Sequence, residues 1–127
     1  MTFLIDTPVL VDVLRNRLGR PTLLAELIER GDHLATTALN VGEVFAGLRP
    51  TEESSAGALL ELMEIYPITA ALARRAGGLK YAWARKGRTL ELPDMIVAAT
   101  ALEHGVTLMT DNRRDFPMQE LKFFDLP

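Results

Sequence analysis

Apolar residues in this chain fall into two kinds of run that alternate along its length. Phe3-Leu4-Ile5, Leu34-Ala35-Thr36, Tyr66-Pro67-Ile68, Val106-Thr107-Leu108-Met109 and the segment from Leu121 to Phe124 are short and continuous. Such runs predict strands buried on both faces. Between them the apolar positions recur at spacings of three and four. Val9, Leu10, Val13 and Leu14 predict one helix after Thr7, which caps it, and Pro8, whose fixed φ suits a first turn. Leu23, Leu24, Leu27 and Ile28 predict a second helix from about Pro21 to Arg30, stopped by Gly31.

Thr36 or Thr37 caps a third helix, on which Leu39, Glu43, Ala46 and Gly47 share a face, so Glu43 is expected on the apolar side. Thr51-Glu52-Glu53-Ser54 opens a helix carrying Leu59, Leu60, Leu62 and Met63. Thr69 starts a long helix to about Lys86, in which Gly77-Gly78 marks a weak point or a close approach. Leu92-Pro93-Asp94 begins a helix whose stretch from Met95 to Leu102 is so apolar that it must be nearly enclosed, and Gly105 ends it. Strands alternating with helices predict an α/β fold: a three-layer sandwich with a short central, mostly parallel sheet flanked by helices. Ligands of such sheets bind outside the carboxyl ends of the strands.

The 127 residues suit one domain spanning 1–127, with 48% hydrophobic and 24% charged residues typical of a soluble globular chain. The lack of cysteine excludes a disulfide framework, a thiolate zinc site and a cysteine nucleophile. Met1 to Ile5 is too short an apolar run for a signal peptide, and nothing approaches the ~20 residues of a membrane span. A cytoplasmic setting without membrane contact is expected. Net charge is −3, but it is unevenly spread. Residues 1–70 hold 5 Arg against 10 acids, whereas Arg74, Arg75, Lys80, Arg85, Lys86 and Arg88 follow one another with no acid between them. Tyr81 and Trp83 in that stretch read first as core or dimer packing residues and second as rings on which bases could stack, and the basic stretch itself reads equally as a solvated helix face or a path for a nucleic-acid backbone. His33 and His104 lack ligand spacing.

Acids stand at four separate places where predicted elements deliver them together. Asp6 closes the first strand, Glu43 lies on the third helix, Asp94 begins an apolar helix, and Asp111 and Asp115 follow the strand ending at Met109. Each has an ordinary explanation: Asp6 as strand end or cap, Asp94 as helix-start acid, Asp111 and Asp115 as turn residues. Glu43 has only Leu39, Asn40, Ala46 and Gly47 at helical spacing, none of which can neutralise it. Several carboxylates beside core elements call for a cation, a shared proton or salt-bridge partners. A divalent metal is the simplest common account, and Mg²⁺ or Mn²⁺ takes oxygen ligands.

Read in order, Phe3-Leu4-Ile5-Asp6-Thr7, Asn40-Val41-Gly42-Glu43-Val44-Phe45-Ala46-Gly47-Leu48, Leu92-Pro93-Asp94-Met95-Ile96-Val97-Ala98-Ala99-Thr100-Ala101 and Thr110-Asp111-Asn112-Arg113-Arg114-Asp115-Phe116 make the whole chain resemble a VapC-like PIN-domain ribonuclease toxin of a type II toxin–antitoxin system. Pro8 departs from the small polar residue common after Asp-Thr. In the last motif Asn112 and Asp115 fall on the pattern and Asp111 is an additional acid. The match favours Asp115 for the fourth place, with Asp111, nearer the strand end, as its rival. The resemblance implies a metal-dependent endoribonuclease that hydrolyses RNA phosphodiester bonds with a metal-activated water. Asp6, Glu43, Asp94 and Asp115 would be its catalytic and Mg²⁺- or Mn²⁺-binding acids, with Thr7, Thr110, Asn112, Arg113 and Arg114 toward substrate. It also implies a homodimer and a cognate antitoxin. The alternatives are a receiver-like Mg-binding phospho-acceptor domain, for which the acceptor Asp and a suitably placed late Lys are missing, and a catalytically silent PIN-like binding module.

Overall fold

The computed structural model covers residues 1–127 and places five strands in one sheet with six α-helices around it. The strands are β1 (Thr2–Ile5), β2 (His33–Thr37), β3 (Glu64–Tyr66), β4 (Thr107–Met109) and β5 (Lys122–Phe123). Their order is β3-β2-β1-β4-β5 and every neighbouring pair is parallel, so the sheet is wholly parallel rather than mostly so. The helices are α1 (Thr7–Leu14), α2 (Arg20–Glu29), α3 (Ala38–Ala46), α4 (Glu53–Glu61), α5 (Ala70–Arg85) and α6 (Leu92–His104). The predicted α/β sandwich is thus the observed architecture.

Two apolar cores lie on the two faces of the sheet. Leu4, Ala35 and Leu108 face the side covered by α5 and α6, where Met95, Ala98, Ala99 and Phe116 are fully enclosed. Phe3, Ile5, Leu34 and Met109 face the other side with Val9, Leu10, Leu24 and Leu27 of α1 and α2. Alternate residues of one strand therefore serve opposite cores, which is why the strand runs read as continuously apolar. Thr37 caps α3 in a capping box with Asn40, Thr69 caps α5, and Gly105 ends α6 in the left-handed conformation at φ 63°.

Four expectations shift. Asp6 rather than Thr7 is the N-cap of α1. The third strand lies two residues earlier than the Tyr66-Pro67-Ile68 run suggested, because Pro67 has no N–H to continue the ladder beyond Tyr66. Glu43 does not join the apolar face of α3. It is exposed, and the buried residues of that helix are Asn40 and Val44. Helix α5 runs unbroken through Gly77 and Gly78, and a Cβ at either would meet nothing, so neither is a close-packing site.

Candidate active site

The chain leaves β1 toward β2 and β3 on one side and later fills β4 and β5 on the other, so the topological switch point falls between β1 and β4. A crevice outside the carboxyl ends at that point is where parallel sheets bind ligands. Asp6 sits there, at the end of β1, its backbone N–H donating to the Met109 carbonyl at 3.0 Å. Its carboxylate is buried, 6% exposed, and accepts from the Thr7 backbone N–H at 3.0 Å and from the Thr110 hydroxyl at 2.8 Å. The Thr110 hydroxyl in turn accepts from the Asn112 N–H at 3.0 Å. The end of β4 therefore clamps the acid at the end of β1.

Glu43 is held by a second chain of hydrogen bonds. The Thr7 hydroxyl donates to Glu43 Oε1 at 2.7 Å and accepts from Asn40 Nδ2 at 2.8 Å. Fully buried Asn40 accepts from the Thr37 hydroxyl at 2.6 Å and from the Thr37 N–H. The capping box of α3 thus extends through Thr7 to Glu43. Asp94 stands in the first turn of α6, and Asp115 in the 3-10 turn Arg113–Asp115 after β4.

These four acids sense one another. Burial raises the pKa of Asp6, the hydrogen bonds from Thr110 and Thr7 counter it, and the charges of Glu43 and Asp115 raise it further. Asp94 is pushed up from 3.8 to about 6, first by burial and then by the charges of Asp6, Asp115, Glu43 and Glu91. None of the four forms a salt bridge.

Asp111 is different. It accepts from Arg20 Nη2 at 2.9 Å, and Arg20 Nε lies 4.0 Å from Asp12. Arg20, 2% exposed, is the one buried cation of the fold, with Nε and Nη1 lacking hydrogen-bond partners. Asp111 is neutralised away from the cluster, whereas Asp115 contributes its charge to both Asp6 and Asp94. The remaining sequence candidates divide. The Thr7 and Thr110 hydroxyls are engaged in holding acids, and Thr110 is buried. Asn112 is exposed. Arg113 turns to the Phe124 carbonyl and the Asp125 carboxylate, while Arg114 has no acidic partner. Thr110, Asp111, Asn112, Arg113 and Arg114, without Thr7, line an open cavity of about 590 Å³ together with Asp125 and Leu126.

Asn40 and Arg20 are the residues that pattern reading passed over. Asn40 carries a signal in hindsight, being polar at the N3 position that completes a Thr37 capping box. For Arg20 the hint is weaker: a cation in the first helical turn opposes the helix dipole and so wants an acid nearby.

The donor set is all carboxylate oxygen, which fits a hard divalent cation such as Mg²⁺ or Mn²⁺ and not a thiolate metal. As placed, no three acidic or histidine side chains converge tightly enough to grip one ion. Like charges without a countercharge should stand apart in this way.

A parallel α/β sheet with uncompensated carboxylates from the end of β1, from α3, from the start of α6 and from the turn after β4 defines an acidic-site domain of the nuclease-like kind. The PIN domain model matches residues 3–121, and the chain belongs to that family. It is 36% identical over 115 residues to Ribonuclease VapC19 of Mycobacterium tuberculosis, covering 91% of this chain and 92% of that protein. It is 32% identical over 117 residues to Ribonuclease VapC10 of the same organism, covering 92% and 87%. Its fold matches a chain in the crystal structure of VapBC2 from Rickettsia felis bound to a DNA fragment from their promoter, with TM-score 0.84, 21% identity and 98% of each chain covered.

Proposed function

We propose that the protein is a divalent-metal-dependent endoribonuclease, the toxin of a toxin–antitoxin pair acting in the cytoplasm, and that Asp6, Glu43, Asp94 and Asp115 form its catalytic acid cluster. The observation that carries this reading is the uncompensated charge of those four acids at the switch point, with Asp94 pushed up to about 6 while Asp111 is neutralised by Arg20. RNA as substrate is supported by relatives named ribonucleases, and a protein antitoxin by the VapBC neighbour in the fold comparison. No helix is long and apolar enough to cross a membrane.

Asp6, Asp94, Glu43 and Asp115 would hold the Mg²⁺ or Mn²⁺. When bound, such an ion lowers the pKa of water and stabilises charge on a phosphate. The chain's own residues supply position. Thr110 and the Thr7 N–H fix both oxygens of Asp6, leaving their remaining lone pairs free toward the crevice. Thr7 fixes Glu43, with its hydroxyl proton committed to that carboxylate. The raised pKa of Asp94, about 6, lets it keep a proton into the mildly acidic range when no cation is near. Asn112 and Arg114, exposed at the mouth of the cavity that Asp111 also lines, would meet the phosphate backbone.

The test is cleavage of tRNA, rRNA and single-stranded DNA with Mg²⁺, Mn²⁺ or chelator, beside Asp6→Asn and Asp94→Asn. RNA cleavage that needs metal and disappears in both variants is expected. Cleavage in chelator, or full activity in both variants, would sink the assignment.

A further inference from the structure

Helices α5 and α6 are consecutive, and residues 86–91 fold back between them, so the last turns of α5 lie at the same end of the molecule as the first turn of α6 and its Asp94. Lys80 Nζ, 2.6 Å from the Leu90 carbonyl, ties the two together. Arg88 donates to the carbonyl of Arg114, next to Asp115, joining this end of α5 to the acid cluster. The basic stretch is thereby divided. Arg85, Lys86 and Arg88 lie near the acids, whereas Arg74 and Arg75 lie roughly 16 Å back along the helix, at ~1.5 Å per residue. None of these bases forms an ion pair, although the chain as a whole is acidic.

Between this end of α5 and the segment just beyond Asp115 runs a cleft of about 400 Å³, lined among others by Leu79, Trp83, Lys86, Pro117, Met118 and Glu120. That volume lies within the roughly 300–1,000 Å³ range of small-ligand sites. Trp83 is half-buried, packed on the core at one side, and Lys86 Nζ lies 4.5 Å from its ring centroid. Exposed Tyr81 carries Arg85 over its ring at 5.9 Å. A tryptophan floor with Lys86 at its rim, Glu120 opposite and Arg85 and Tyr81 on the neighbouring turn of α5 has the elements that hold single-stranded nucleic acid, where bases stack and phosphates meet the cations.

We infer that the Trp83–Lys86 cleft is a base-stacking subsite for single-stranded RNA, holding an unpaired nucleotide that flanks the bond at the acid cluster. This rests on the nuclease reading for its substrate class. The contact of Arg88 with Arg114 links the acids to the end of α5 on which the cleft opens. Double-stranded RNA is disfavoured, since a paired base must be flipped out of its stack to enter, at a cost in unstacking and unpairing. Of the two readings that pattern offers for Trp83, core or dimer packing and base stacking, both apply: one side packs on the core, and a base enters over the ring by displacing the Lys86 side chain toward the phosphate.

Trp83 is the single tryptophan of the chain, so its fluorescence reports on the cleft directly. Wild-type protein in chelator at low salt, titrated with a mixed-sequence single-stranded RNA oligonucleotide, should show saturable quenching that tracks the anisotropy of labelled RNA. Trp83→Leu should weaken binding at least fivefold and Trp83→Phe less than twofold, as stacking requires. Lys86→Ala, at an exposed position, should lower the salt slope of log affinity by about 0.7. Absence of binding, binding without quenching, equal affinity for Trp83→Leu, or equal quenching by duplex RNA or polyglutamate would each overturn the subsite. Cleavage by Trp83→Leu with unchanged kcat and KM would remove the subsite and leave the nuclease. Quenching without cleavage under any metal would do the reverse.

Discussion

Replacing Asp94 by Asn should stabilise the metal-free protein while abolishing its activity. The Asp94 carboxyl is pushed from 3.8 to about 6 by burial and by its acidic neighbours. A carboxyl that titrates higher in the folded than in the unfolded chain keeps its proton longer when folded. Stability from this group is therefore intact below pH 3.8, is lost as pH rises to about 6, and stays lost above. At about 1.36 kcal/mol per unit the ceiling is about 3 kcal/mol. Asp94 is only half-buried, so solvent screening reduces this to about 1 kcal/mol, and losing a favourable acid at a helix start removes a few tenths more. The assay is urea or thermal unfolding in EDTA across pH 4 to 8. The variant's advantage should grow between pH 4 and 6 and level off above, reaching roughly 2–4 °C in Tm at pH 7.5. Saturating Mg²⁺ should then reverse the order, since an ion at tenfold its Kd stabilises the wild type by about 1.4 kcal/mol and the variant by less. An advantage independent of pH, or a variant less stable than wild type in EDTA at pH 7.5, would refute the claim that the cluster is uncompensated.

Asp115→Asn should lower RNA cleavage at least a hundredfold, whereas Asp111→Asn should leave it within severalfold and instead destabilise the fold by about 1 kcal/mol through Arg20; the reverse pattern in paired cleavage and urea assays would give the fourth place to Asp111. Thr7→Val removes the donor to Glu43 and strands Asn40 Nδ2, so cleavage should fall about tenfold or more and stability by about 1–2 kcal/mol, measured by kcat and chemical denaturation. Thr110→Val removes a hydrogen bond that lowers the pKa of Asp6, so that pKa rises further and the acidic limb of the activity profile should move to higher pH; an unmoved limb would separate Asp6 from the reaction.

The strands and the long helices were legible because burial on both faces leaves unbroken apolar runs, and because Thr37, Thr69 and Gly105 mark their ends chemically. Strand β3 misled because Tyr66-Pro67-Ile68 is apolar on both sides of a residue that cannot donate to a ladder, while the observed Glu64-Ile65-Tyr66 starts with a charge. The position of Glu43 misled for a related reason. Leu39, Ala46 and Gly47 are small or half-covered, so helical spacing made an apolar stripe where the fold buries Asn40 and Val44 instead. Acids at each motif could be named from sequence, and the motif match favoured Asp115 over Asp111, but the pairing of Asp111 with Arg20 could not be read, since the two are 91 residues apart. Local pattern carries no information about a partner at that separation.

The distribution of ion pairs explains how one acidic chain can attract a polyanion to an acidic crevice. Arg15 is matched to Glu52, Arg30 to Asp32, Arg20 to Asp111 and Asp12, and Arg113 to Asp125. Among the groups those pairings leave unmatched, two sets of opposite sign lie at one end of the fold, the four carboxylates at the switch point and the bases near the end of α5, joined by the contact of Arg88 with Arg114. The two groups do not neutralise each other, although they lie at one end of the fold. On the proposed function a single strand of RNA would account for both: its phosphates would answer the free cations of α5 directly and the carboxylates through a shared divalent ion. This makes the two sets of residues separable by salt and by chelator. Added salt should weaken binding through Lys86 and Arg88 while leaving turnover at saturating RNA little changed, whereas chelator should stop turnover and leave the quenching of Trp83 in place. If salt and chelator instead changed binding and turnover in the same proportion, the acids and the bases would be one undivided site, and the division drawn from their ion pairs would be wrong.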